Sequence, residues 1–202
     1  MTSDKLDVIT IGECLVEIMR DKRDVPHSVP GTYLGPYPSG APAIFADACA
    51  RLGLKSGIIG AVGRDDFGKL LVDRLKRDGV EVSRLKILED RTTGVAFVTY
   101  FSSGSRQFIF HIKHAAAGQI YPEDVDPEYV RRFRVLHIMG STLSINDNCR
   151  EACYKAVEIA KQNEITVTFD PNLRPELLDV STIRSICRPC LLYTSPSPRD
   201  RG

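Results

Sequence analysis

The stretch Asp170-Pro171-Asn172-Leu173-Arg174-Pro175 brings an amide and a guanidinium into one short turn stiffened by Pro171. Asn172 can donate and accept hydrogen bonds, and the fork of Arg174 suits a phosphate or a carboxylate. The turn follows directly on residues 165–169, which read as a strand. Open parallel sheets place ligands at the carboxyl ends of their strands, so these polar groups read as a site; a capping turn ahead of a helix is the alternative.

A second corner has the same form. Ser39-Gly40 stands directly before Ala41-Pro42 and an alanine-rich run that stops at Gly53. Glycine lets a backbone approach a ligand closely, and the first turn of a helix offers N–H groups without partners. Core packing accounts for the alanines but not for the bare Ser39-Gly40 pair, for which a site and a structural turn both stand.

Other spacings approach known chemistry and fail on residue type. Residues 63–70 come near the phosphate-cradling GxxxxGK[ST] loop, but Leu70 replaces the metal-binding hydroxyl, and Asp65 and Asp66 put negative charge where phosphates would lie. A tight turn capped by aspartate fits better. Gly57, Gly60 and Gly63 miss the GxGxxG pattern, which leaves a nicotinamide-dependent oxidoreductase as a distant alternative. Cys187 and Cys190 form a C-x-x-C, but Cys149 and Cys153 sit on a helical pattern with a face toward the core, so no metal site is expected. His111 and His114, three apart on a predicted strand, point to opposite faces.

The elements that must position these residues alternate in period. Residues 7–12 and 56–62 read as buried strands, and each leads to a helical pattern, the second carrying Phe67, Leu70, Leu71 and Leu75 on one face. Residues 94–101 and 107–113 flank Ser102-Ser103-Gly104-Ser105 and read as a hairpin inserted into the alternation. The alternation resumes with a strand at 135–139, a helix at 148–162 and a strand at 165–169. This order implies a parallel sheet covered by helices, with a small antiparallel flap.

With 202 residues, 43% apolar, the chain can build one globular core. A net charge of +1 supplies no field for nucleic acid or an anionic membrane, which points to small-molecule partners. Glu13 interrupts the first apolar run, so neither a secretory core nor a membrane span is read there, and the six cysteines are scattered. A cytoplasmic setting is expected.

Taken together, SGAPAIFADACARLG, GIIGAVGRDDFG, DGVEVS, TGVAFV and FDPNLRPEL stand in the order and setting of the PfkB, or ribokinase-like, carbohydrate kinases, and the chain resembles that family from about residue 7 to about residue 189. Within it the chain looks most like tagatose kinases and 2-keto-3-deoxygluconate kinases. The resemblance implies an α/β fold: a ribokinase-like, Rossmann-type three-layer sandwich with a small β-sheet lid drawn from segments near 14–38 and 93–114. It implies ATP-dependent phosphorylation of a sugar hydroxyl with Mg2+, and a homodimer paired through the lid. Glu17 and Gly40, with Ser39 beside it, would contact the sugar, while Phe97 and Phe110 would stack on it or wall it off. Arg174 would meet the transferred phosphate or an acidic sugar group, with Asn172 beside it.

The chain departs from the family pattern in three places. Ser39-Gly40 stands for the common Gly-Gly and Ile44 for an asparagine, so a sugar hydroxyl contact is lost or moved. The Tyr-x-Arg lid pair of deoxygluconate kinases becomes Phe110-His111-Ile112, which favours a neutral ketohexose. The segment Asp-Thr-x-Gly-Ala-Gly-Asp, which in the family supplies the catalytic base and an anion hole, occurs nowhere in the 202 residues. The expectation is therefore a fragment at residues 1–189, truncated at its C-terminus, without base or nucleotide site and inactive alone, followed by a foreign or disordered tail at 190–202. A non-catalytic sugar-binding or interaction fragment is the rival reading.

Overall fold

The computed structural model describes residues 5–172, 174, 176–179, 181, 182, 185, 186 and 188. The Cys187–Cys190 pair and the tail at 190–202 lie outside them. From β1 (Leu6–Ile11) the chain enters a small sheet through β2 (Leu15–Arg20) and β3 (Tyr33–Ser39), then forms α1 (Ala41–Arg51), β4 (Ser56–Gly63), α2 (Asp66–Arg77) and β5 (Glu81–Leu88). It revisits the small sheet through β6 (Gly94–Tyr100) and β7 (Arg106–His111). It returns by α3 (Pro127–Val130), β8 (Phe133–Met139), α4 (Gly140–Leu143), α5 (Asp147–Gln162) and β9 (Thr166–Asp170).

The main sheet has the order β5-β4-β1-β8-β9 with every pair parallel. Its strands are buried because helices cover both faces. Ala43 and Ala46 of α1 and Leu71 and Leu75 of α2 pack with Ile58 and Val62 in one core. Ala152, Cys153, Ala156 and Ala160 of α5 pack with Ile9, Leu136 and Ile138 in the other. Small residues along α5 let it lie close to the sheet, and Asn146 caps it by accepting from the Cys149 N–H at 2.9 Å. The three-layer α/β sandwich expected from the sequence is thus present, and four of its cysteines are buried or half-buried free thiols. No helix among the described residues is long and apolar enough to cross a membrane.

The small sheet has the order β3-β2-β6-β7, with β2 and β6 parallel and the outer pairs antiparallel. Leu15 lies opposite both Ser39 and Gly94, and Val95 opposite His111. All four chain crossings to the main domain therefore fall at one end of the small sheet. The far end carries Arg20, Tyr33, Tyr100 and Arg106. Residues 21–32 strap its outer face: Thr99 Oγ1 donates to the Val25 carbonyl at 2.8 Å, Arg20 donates to the carbonyls of Pro26 and Val29, and Asp24 accepts from the Ser102 N–H at 2.8 Å.

Candidate functional site

β1 is the topological switch of the main sheet, since the chain fills the β4 side first and the β8 side afterwards. Such a switch opens a crevice at the carboxyl ends of the strands. Glu13, two residues beyond β1, sits in it and is 4% exposed. Its Oε2 accepts a 2.7 Å hydrogen bond from Thr142 Oγ1 on α4. Burial pushes the Glu13 carboxyl up from its ordinary value, against the opposing pull of Thr142, Ser141 and the charge of Arg174.

Above Glu13 lies a cleft of about 150 Å³ that reaches from the Ser39-Gly40 corner to the small sheet. Glu17 enters it from β2, and Ser39 Oγ donates to Glu17 Oε2 at 3.2 Å. Gly40 has φ +102°, and a Cβ there would stand 2.3 Å from the Glu13 carbonyl oxygen, so the corner closes only with glycine. The helix behind it begins at Ala41 with no side-chain cap, and the Ile44 N–H turns back to the Gly40 carbonyl at 2.8 Å. Ile44 itself lines the cleft.

The turn after β9 reaches the same place because the end of β8 is pared to glycine. A Cβ on Gly140 would lie 1.9 Å from the Pro171 carbonyl oxygen. This approach brings Arg174 to the cleft, with its guanidinium carbon 5.9 Å from the Phe108 ring centre. Asn172 is not among the residues that line it. The Asn172 N–H donates to Asp170 Oδ1 at 3.0 Å, and at φ +36° the residue shapes the turn outside the cleft lining. Its Oδ1 is buried with no hydrogen-bond partner.

The period of two along β6 and β7 decides which lid residues face the cleft. Ala96 and Phe110 are register partners and line it, as do Tyr100, Arg106 and Phe108. Phe97 faces the other side, edge-on to Tyr33 at 5.7 Å and to His111 at 6.0 Å, so the wall expected from Phe97 is built by its neighbour Ala96 and by Phe108. The cleft thus gathers Glu17, Ser39, Gly40, Phe110 and Arg174 of the residues singled out in the sequence. It adds Glu13, from the loop after β1, and Tyr100, Arg106 and Phe108, which strand alternation placed on one face once the β6–β7 register was known.

A larger cavity, about 630 Å³, lies between the start of α2 and residues 110–115. His111 and His114 both line it, contrary to the opposite faces expected, because β7 ends at His111. Its Asp65 is already spent, accepting from the Gly68 N–H at 2.8 Å, the Thr93 N–H at 2.7 Å and Thr93 Oγ1 at 2.6 Å. Burial opposes ionisation of Asp65, yet these bonds hold its carboxyl below the ordinary value. The aspartate cap read from residues 63–70 is what forms. Convergent polar groups single out the smaller cleft.

The sequence pattern of the pfkB family carbohydrate kinases matches residues 5–192. The chain is 35% identical to fructokinase-2 of Oryza sativa subsp. japonica over 83% of its own length and 49% of that protein's. It is 34% identical to a fructokinase of Solanum tuberosum over 83% of its length and 52% of that protein's. It therefore spans about half the length of the curated relatives it matches. These relatives are fructokinases rather than the tagatose or 2-keto-3-deoxygluconate kinases expected from the sequence. Among solved structures, an E. coli protein provisionally named ribokinase II superposes with a TM-score of 0.85 at 46% identity, over 94% of this chain and 60% of that one. A structure under the same name, at 45% identity and TM-score 0.84, is a complex with ATP and Mg2+. Fructokinase from Xylella fastidiosa superposes with a TM-score of 0.80 at 26% identity, over 93% of this chain and 57% of that one. A switch-point cleft under a four-stranded lid, matched in sequence and in structure by these kinases, places the chain in the pfkB family of carbohydrate kinases.

Proposed function

We propose that the protein to which these residues belong transfers a phosphoryl group from ATP, with Mg2+, to a hydroxyl of a ketose sugar. The observation that carries this reading is the Glu17 carboxylate, held by the Ser39 hydroxyl at the Gly40 corner beneath the lid and sharing its cleft with Arg174. A fixed carboxylate accepts hydrogen bonds from sugar hydroxyls, and the Arg174 fork suits a phosphoryl group. The fructokinase relatives support a ketose, and the complex of the E. coli protein supports ATP and Mg2+ as co-substrates.

On this reading the described residues supply the sugar half of the reaction. The base-bearing Asp-Thr-x-Gly-Ala-Gly-Asp segment is absent from the sequence, so the 202-residue chain binds sugar without turnover. A cytoplasmic setting and pairing of two copies through their lids belong to the same proposal. Titration calorimetry with D-fructose, on the chain and on Glu17→Ala, tests it alongside a coupled ATP assay. Binding that Glu17→Ala abolishes is expected, with no ADP formed; absence of ketose binding, or phosphorylation by this chain, overturns it.

A further inference from the structure

Arg106 is unused by the reading above. It opens β7 on the cleft side of the lid, in register with Tyr100, and its guanidinium carbon lies 5.3 Å from the Phe108 ring centre. Arg174 approaches the same ring at 5.9 Å, so two guanidinium groups converge on one aromatic side chain at one cleft. Among the described residues no hydrogen bond or ion pair holds Arg106. The two cleft carboxyl groups are engaged elsewhere, Glu17 with Ser39 and Glu13 with Thr142. A guanidinium packed near an aromatic ring keeps its N–H edge available for a planar anion.

We propose that Arg106 reads an anionic group, a carboxylate or a phosphate, carried by the sugar at the end remote from the hydroxyl that is phosphorylated. This rests on the sugar-kinase reading and narrows its substrate class. Arg174, at the turn after β9, is assigned to the transferred phosphoryl group, so a neutral sugar would leave the second cation at the lid tip without an opposite charge to meet. The case for a neutral sugar rested on Phe110-His111-Ile112, whereas the lid presents its arginine four positions before Phe110. Closure of the lid would lower the dielectric around this contact and strengthen it.

Titration calorimetry on the 202-residue chain with D-fructose, a 2-keto-hexonate and fructose 6-phosphate tests the proposal, the two acids separating a carboxylate from a phosphate. At least one acid is expected to bind about tenfold or more tighter than fructose, and R106Q to weaken that acid about tenfold more than it weakens fructose. Arg106 is exposed, so the variant is expected to keep the wild-type circular dichroism spectrum. Fructose binding as tight as either acid, or an acid preference that survives in R106Q, overturns the proposal and leaves the sugar-kinase reading intact. Failure of all three sugars to bind overturns both.

Discussion

The Thr142 hydroxyl and the Glu13 carboxyl, 129 positions apart in sequence, meet at 2.7 Å where the ends of β1 and β8 converge. One bond thus ties the floor of the cleft to the strand pair that flanks the switch point, and it does so with a carboxyl almost sealed from water. A buried acid so placed makes stability depend on pH.

The folded-state value of Glu13 lies above 4.5, its value in the unfolded chain. Between the two the folded protein keeps a proton that the unfolded chain has released, so stability falls as pH rises through that window and stays lower above it. Glu13→Gln keeps an oxygen for Thr142 and removes the titration. Urea denaturation at a series of pH values should show the variant gaining stability over wild type as pH climbs above 4.5. An unchanged difference across the series would contradict the assignment.

Gly40→Ala combines a left-handed backbone with a Cβ that would meet the Glu13 carbonyl oxygen. The substitution should cost about 1–3 kcal/mol in chemical denaturation and weaken ketose binding with it. Wild-type stability in the variant would show that the corner is not held as described.

Asp65→Ala removes the α2 cap and both bonds to Thr93 at the entry to β6. A loss of about 1–2 kcal/mol is expected. Because its folded-state value is depressed, this contribution is present above 3.8, the unfolded value, and disappears as pH falls through the folded one. Wild type and variant should therefore converge in stability in acid, which thermal melts at low pH would check.

Ile44 lines the cleft with an exposed apolar side chain where a polar group could reach a sugar hydroxyl. Ile44→Asn should tighten ketose binding, by up to about tenfold for one added hydrogen bond. Weaker binding in calorimetry would place the sugar away from α1.

Most of the main sheet was legible because β1, β4 and β8 are largely apolar and α2 opens on an aspartate cap. β3 and β5 were not: Tyr33–Ser39 contains two prolines and a glycine, and Glu81–Leu88 mixes charges with aliphatics, as sheet-edge strands tolerate. The cleft was legible at its glycine corner and at Arg174, where residue type alone signals a special backbone or charge. Phe97 and Arg106 show the limit. Period two names two faces of a strand, but which face meets the cleft depends on pairing with β2, a contact between segments some eighty residues apart.

Because every crossing into the small sheet lies at one end, the sheet is a lever with a single fulcrum line, running past Leu15, Ser39, Gly94 and His111. From Gly94 to Tyr100 the arm is about 20 Å at the usual strand rise, so a tilt of about 10° carries its tip by about 3.5 Å. Glu17, two residues from the fulcrum, would travel only about a third as far during such a tilt as Tyr100 and Arg106, which sweep the whole arc. Contacts to a sugar are thereby divided in time: those at the corner exist in the open cleft, and those at the tip are made only as it shuts.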